Sequence, residues 1–230
     1  MARASSPRVS THYRGAQGSA YHRHYQPLAE AFGEVNARKF QRFVGPSDTV
    51  VDFGCGPGFT LARLQAGSAI GVEVNDESRR FAESLGIETA TSADLLPEKS
   101  ADVVISNHCL EHTLNPLEEL QQLHRVLRPG GTIVLYVPVD DWRSRHQRRV
   151  DPDINHHLYT WTPLLLANLL REAGFADPDC RIENRGLPGR ATALLLRALP
   201  PRLFEQMTVL VALLLRRREI RATARRSDKR

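Results

Sequence analysis

Thr49-Val50-Val51-Asp52-Phe53-Gly54-Cys55-Gly56-Pro57-Gly58-Phe59-Thr60 is the stretch whose reading decides the architecture. A β-branched run passes through three glycines at alternate positions and then enters Leu61-Ala62-Arg63-Leu64, which predicts a strand, a tight loop and a helix. Glycines in such a loop allow positive φ and let a ligand approach the main chain. The free N–H groups at a helix start face that ligand. Asp52 adds a carboxylate at the carboxyl end of the strand, the edge at which open α/β sheets bind ligands. A dinucleotide fingerprint has the spacing Gly-x-Gly-x-x-Gly, and Phe59 stands where its third glycine belongs. An NAD(P)-dependent oxidoreductase is thereby disfavoured, though it stays open as the alternative.

The rest of the chain frames that loop. A length of 230 residues suits one α/β domain with additions, and 41% hydrophobic and 25% charged residues are ordinary for a globular protein. Cys55, Cys109 and Cys180 show neither zinc spacing nor an even disulfide set, which favours a reducing compartment, the cytoplasm. Of the net charge of +5, the segment Arg216–Arg230 contributes eight Lys/Arg against two Asp/Glu. The remainder is close to neutral, so a broad nucleic-acid-binding face is not expected.

Residues 1–24 lack periodicity and are read as a disordered segment, ahead of a helix over 26–43 that ends at Gly45-Pro46. After the glycine loop, Ala69–Asn75 reads as a second strand ending in Glu73, a carboxylate placed to accept both hydroxyls of a ribose. A helix from Asp76-Glu77 to Leu85-Gly86 follows, then strands over Ile87–Thr91 and Ala101–Ser106. Asn115-Pro116 caps and starts another helix, stopped by Pro129-Gly130-Gly131, and Thr132–Pro138 is the fifth strand. Thr162-Pro163 opens a further helix, a sixth strand falls near Arg181-Ile182-Glu183, and Ile220–Arg225 alternates as an antiparallel seventh. Two apolar helices near 187–215 fall short of the roughly 18–20 residues a bilayer requires, so they pack on the domain, pair with another subunit or lie in a membrane interface. The expected organisation is one domain over 25–226, with that helical insertion and a basic tail at 227–230.

Asp-x-Gly-x-Gly-x-Gly from Asp52 to Gly58 resembles motif I of the class I S-adenosylmethionine (SAM) methyltransferases. The block from Ser106 through Leu110-Glu111-His112 to the fifth strand resembles their small-molecule branch, which includes quinone- and sugar-methylating enzymes. The resemblance implies a Rossmann-like, doubly wound α/β fold: a mostly parallel seven-stranded sheet, helices on both faces and an extra N-terminal helix. It implies SAM as cofactor, with S-adenosyl-L-homocysteine as product. Asp52, Gly54, Cys55, Gly56 and Gly58 would cradle its methionine part, Glu73 and Val74 its ribose, Asp94 and Leu95 its adenine, and Asn107 would stand near the methyl group.

The acceptor of such a methyl group is expected to be a small molecule, most readily a hydroxyl of a sugar, lipid-like or secondary-metabolite unit. The arginines at 143, 145, 148 and 149 suit an anionic one. His108, His112, His156 and His157 are the candidate bases, because a neutral imidazole can take the hydroxyl proton. His108 and His112 share a face if their segment is helical and could then hold a metal with Asp140 or Asp141, but no metal is expected. The Asn-Pro-Pro-Tyr signature of DNA amino methylators is replaced by Ser106-Asn107-His108-Cys109. A SAM-binding scaffold without turnover remains a third reading.

Overall fold

The computed structural model describes residues 10–140, 148, 151, 153–184, 198–214 and 217–227. Seven strands form one sheet in the order β3-β2-β1-β4-β5-β7-β6. They are β1 (Thr49–Phe53), β2 (Ser68–Val72), β3 (Glu88–Ala90), β4 (Ala101–Asn107), β5 (Leu127–Pro138), β6 (Phe175–Asn184) and β7 (Arg218–Arg226). Neighbours from β3 to β5 pair in parallel, whereas β7 runs antiparallel to both β5 and β6. The expected Rossmann-like sheet with its antiparallel seventh strand is what the chain forms.

Alternate residues of β1 serve opposite faces of the sheet, as a pleated strand requires. Val51 and Phe53 join the core shared with α3 (Pro116–Val126) and α4 (Pro163–Glu172). Val50 joins the other core, built around Phe40, Ile105 and Tyr136. The Asn115 side chain caps α3 and that of Thr162 caps α4, each followed by proline in the first turn. Burying residues on both faces makes the central strands nearly continuous hydrophobic runs, as in other parallel sheets.

Several expectations need correction. Residues 15–24 are not disordered: α1 spans Gly15–Gln41, preceded by a 3₁₀ turn at Thr11–Tyr13. Polar anchors hold its first half in place of an apolar stripe. Asn75 Nδ2 donates to Gly18 O (2.7 Å) and Tyr13 O (3.2 Å), and His22 Nδ1 meets Ser78 Oγ of α2 (Asp76–Ser84) at 2.9 Å. Gly18 is needed there, since a Cβ would lie 2.4 Å from Tyr13 O. The helix expected after the glycine loop is only a 3₁₀ turn, Leu61–Arg63, because β2 restarts at Ser68 and leaves no room for more. Leu127 leaves α3 directly into β5, and the pairing with β4 slips between Ala101 and Val103 so that residues 128–131 bulge out. Pro129-Gly130-Gly131 therefore interrupts a strand and does not stop a helix.

Of the C-terminal helices, α5 (Pro201–Leu214) is present, while the one expected around Leu194–Leu196 lies outside the described residues. So do the arginines at 143, 145 and 149, and Asp141. Among the described residues no helix is long and apolar enough to cross a membrane.

Candidate active site

The strand order reverses direction at β1, with β2 on one side and β4 on the other, and the glycine loop leaves the sheet there. Gly54 and Cys55 donate their N–H groups to Val72 O at 2.8 and 3.2 Å, tying the loop to the end of β2. All three glycines have positive φ: +80° at Gly54, +54° at Gly56 and +82° at Gly58. Their surroundings differ. A Cβ on Gly54 would lie 2.3 Å from Cys109 Sγ, and one on Gly58 would lie 2.6 Å from Ile87 Cδ1, so these two permit close packing. A Cβ on Gly56 would meet only Tyr25 Cε1, at 3.5 Å. Gly56 alone presents bare backbone to open space.

Glu73 closes the other side. Its Oε2 accepts the Gly56 N–H at 2.9 Å and its Oε1 that of Asn75 at 2.7 Å. Burial pushes this carboxyl up, against the pull of those N–H groups and of Arg79. Asp52, 4% exposed beneath the loop, is pushed up to about 7, first by burial and then by the charge of Glu73. Glu73 on the wall of the hollow and the buried Asp52 behind it make a place that favours positive charge.

The hollow encloses about 830 Å³ of free space, open mouth included. Gly54, Gly56, Glu73, Val74, Asn107, His108 and His112 line it, as the sequence suggested. Asp52, Cys55 and Gly58 lie behind its wall. Asp94 and Leu95 fall outside it: they belong to a 3₁₀ turn where Leu95 is 66% exposed and Asp94 accepts the Ser92 hydroxyl, while Thr91 and Ser92 supply the wall. Sequence reasoning missed Tyr13, Tyr21 and Tyr25, which form an aromatic side. Tyr21 stacks on Tyr25 (5.4 Å between centroids) and meets Tyr13 edge-on (5.0 Å). The four-residue spacing of Tyr21 and Tyr25, one helical turn, was the available signal. Burial pushes the Tyr25 hydroxyl up to about 12 and raises those of Tyr13 and Tyr21 as well.

Four histidines gather at the β4 end, in unlike states. His108 has φ +51° and sets Nδ1 3.3 Å from Glu111 Oε1 and Nε2 3.1 Å from Glu219 Oε2. Burial pulls its pKa down, but the two carboxylates outweigh that and raise it to about 9. With both nitrogens turned to carboxylates, His108 is an imidazolium and has no lone pair to accept a proton. That overturns its reading as a neutral base. His112 differs. Its Nδ1 lies 2.7 Å from Tyr13 Oη, and that hydroxyl donates to Asn155 O at 2.7 Å. A hydroxyl with one proton cannot donate twice, so Nδ1 carries the hydrogen and Nε2 keeps its lone pair. Burial, against the charge of Glu111, holds the His112 pKa below its usual value. His157 packs its ring edge-on to His112 (4.7 Å), and His156 stacks on His12 (4.6 Å); neither lines the hollow. Asp140 is bound to the sheet edge, its N–H donating to Trp161 O at 2.7 Å. Among the described residues the metal set of His108 and His112 with Asp140 is therefore not assembled, since His108 is committed to carboxylates; Asp141 lies outside the described residues.

A sheet of this order, with its glycine loop at the switch point and a carboxylate ending β2, is the class I SAM-dependent methyltransferase fold. A family model described as a methyltransferase domain matches residues 21–177. The trans-aconitate 2-methyltransferase of Methylobacterium nodulans is 32% identical over 111 residues, 44% of this chain and 43% of that protein. The tRNA U34 carboxymethyltransferase of Mannheimia succiniciproducens is 28% identical over 153 residues, 57% of this chain and 46% of that one. The chain spans less than half the length of these curated relatives. Among solved structures, the 1,6-didemethyltoxoflavin-N1-methyltransferase of Burkholderia thailandensis, bound to 1,6-didemethyltoxoflavin and S-adenosylhomocysteine, matches with TM-score 0.60 at 23% identity, over 92% of this chain and 85% of that one. The chain belongs to the methyltransferase-domain family, whose methyl donor is SAM.

Proposed function

We propose that this chain transfers the methyl group of SAM to a hydroxyl of a small-molecule acceptor, with His112 as the proton acceptor. The carrying observation is the neutral, oriented imidazole of His112 on the same hollow as the glycine loop and Glu73. When bound, SAM supplies an activated methyl on a positively charged sulphur. In this reading the backbone of Gly54, Cys55 and Gly56 holds the methionine part, with Gly58 letting the loop pack and Asp52 offering negative charge beneath it. Glu73 takes the ribose hydroxyls. Val74, Thr91 and Ser92 flank the base, and the turn carrying Asp94 and Leu95 has to shift inward if those two are to touch it. Asn107 borders the methyl end. Its Oδ1 accepts from Lys39 Nζ at 2.7 Å, which leaves its amide free to donate. The tyrosine side excludes water, and alignment of this kind supplies the larger part of such an acceleration.

Small acceptors are favoured because the net charge of the chain outside Arg216–Arg230 is close to neutral; a transfer RNA acceptor is the reading to exclude. The three free thiols suit the cytoplasm. Leu210, Leu213 and Leu214 of α5 are exposed and support a contact beyond this chain, with a second subunit or a membrane surface. Labelled SAM offered with hydroxylated small molecules, amines and bulk transfer RNA tests the acceptor class: label in the hydroxyl set supports the proposal, and label only in RNA refutes it.

Two expected results follow. His112→Gln lowers kcat by about 10²–10⁴-fold, the range of a general base, with SAM affinity unchanged. A loss under threefold removes His112 from the reaction. The second concerns pH. A cationic ligand binds the ionised form of Asp52, whose carboxyl titrates at about 7. Affinity for SAM therefore rises about tenfold from pH 6 to pH 8 as that carboxylate forms, and Asp52→Asn flattens the profile. The free protein behaves oppositely. A raised carboxyl pKa favours the folded state at low pH, so that contribution fades as pH climbs through about 7. Calorimetric titration across this window checks both, and a flat wild-type profile contradicts the assignment.

A further inference from the structure

We propose that Glu111, His112 and His157 form a binding site for one divalent transition-metal cation of the zinc class, beside the acceptor end of the hollow. Each of the three offers a ligand atom, and these atoms all lie within 4.8 Å of one another. Two imidazoles and one carboxylate are a donor set that suits zinc with a coordination position left open. The second observation is Glu111 itself. Its side chain is fully buried, and neither carboxylate oxygen has a hydrogen-bond partner among the described residues. Oε1 is ion-paired with His108 Nδ1 at 3.3 Å, whereas Oε2 has neither a hydrogen bond nor an ion pair among the described residues. The His108 imidazolium answers Oε1 alone, and a buried carboxylate oxygen left without a partner is costly, so Oε2 is the atom a bound cation would complete.

The backbone assembles the site. Glu111 and His112 sit on the 3₁₀ turn Leu110–His112, and Glu111 O accepts the N–H groups of Leu158 (2.9 Å) and Tyr159 (3.3 Å). Those two bonds bring His157 onto the turn from 45 residues away along the chain. Tyr13 provides an outer partner: with Nδ1 of His112 donating to its hydroxyl, the ring is held and Nε2 keeps the lone pair for the cation. Zinc–nitrogen bonds of about 2.0–2.1 Å require the three atoms to close up by roughly an ångström, within reach of side-chain rotation at exposed His157. On the methyl-transfer reading, a bound cation consumes the lone pair that His112 would use as base, so the loaded site is an inhibited one.

Titration of the full chain with Co²⁺, without SAM, tests the site through the visible absorption of the ligated ion. One saturating equivalent is expected, with at least a tenfold weaker affinity in His157→Ala and in Glu111→Gln. His157 is exposed, so its replacement leaves the unfolding transition in place and isolates the ligand effect. Absence of a saturable spectrum, or an unchanged affinity in His157→Ala, overturns the proposal. Because no methyl donor is present, either failure leaves the methyltransferase reading intact, whereas Co²⁺ binding with undiminished turnover overturns only the inhibition.

Discussion

Gly56→Val is expected to abolish SAM binding, lowering affinity at least about 100-fold, while the protein still folds. At φ +54° a β-branched residue is strained, costing on the order of 1–3 kcal/mol. Yet the new Cβ would meet only a ring atom of Tyr25 at 3.5 Å, so the fold has room for it and the hollow loses that room. Gly54→Ala provides the contrast. Its Cβ would lie 2.3 Å from Cys109 Sγ, so the damage falls on stability first. Calorimetry with SAM, paired with thermal unfolding, separates the two. Undiminished binding in Gly56→Val would remove the glycine loop from the site.

Lys39→Met is expected to destabilise the protein by about 3–5 kcal/mol, the loss typical of breaking a buried ion pair from one side. Lys39, 6% exposed, sets Nζ 2.9 Å from Glu219 Oε2 and 3.7 Å from the centre of the Tyr136 ring. Glu219 on β7 is 7% exposed, and its Oε1 has no hydrogen-bond partner among the described residues. Burial pushes the Glu219 carboxyl up, but the charges of Lys39 and then His108 hold it at about 2. A depressed carboxyl pKa contributes stability above its unfolded value of 4.5, and that contribution is lost as pH falls toward about 2. Removing Lys39 leaves His108 as the main counter-charge, so acid unfolding of Lys39→Met should also begin at higher pH. Urea unfolding at pH 7 and at pH 4 measures both effects. A loss under about 1 kcal/mol would show the pair to be dispensable.

What could be read from the sequence was what neighbouring residues decide together. The glycine loop, the carboxylate at Glu73 and the Asn115-Pro116 helix start are local patterns with one physical solution each. The alternation at Ile220–Arg225 was equally local, and β7 lies there. The histidines show the opposite case. His108 meets Glu219 across 111 positions, a partnership no spacing rule announces, and it converts an expected base into a cation. The tyrosine side was hidden because the first half of α1 is secured by single polar contacts to Asn75 and Ser78, which leave no periodic apolar stripe. Asp94 shows a third limit: a carboxylate can accept from an adenine amino group, but the turn it sits on faces it toward Ser92. The helix expected after the loop failed on chain length alone, since only nine residues separate Gly58 from Ser68.

The central claim is that SAM lies between the glycine loop and Glu73. A cocrystal with S-adenosylhomocysteine tests it most directly. The account predicts density for the product with its amino-acid part along the backbone of Gly54 and Gly56, its ribose hydroxyls on the Glu73 carboxylate, and its sulphur on the side of Asn107 and His112. Product density elsewhere, or a well-ordered product with Glu73 untouched, would contradict it.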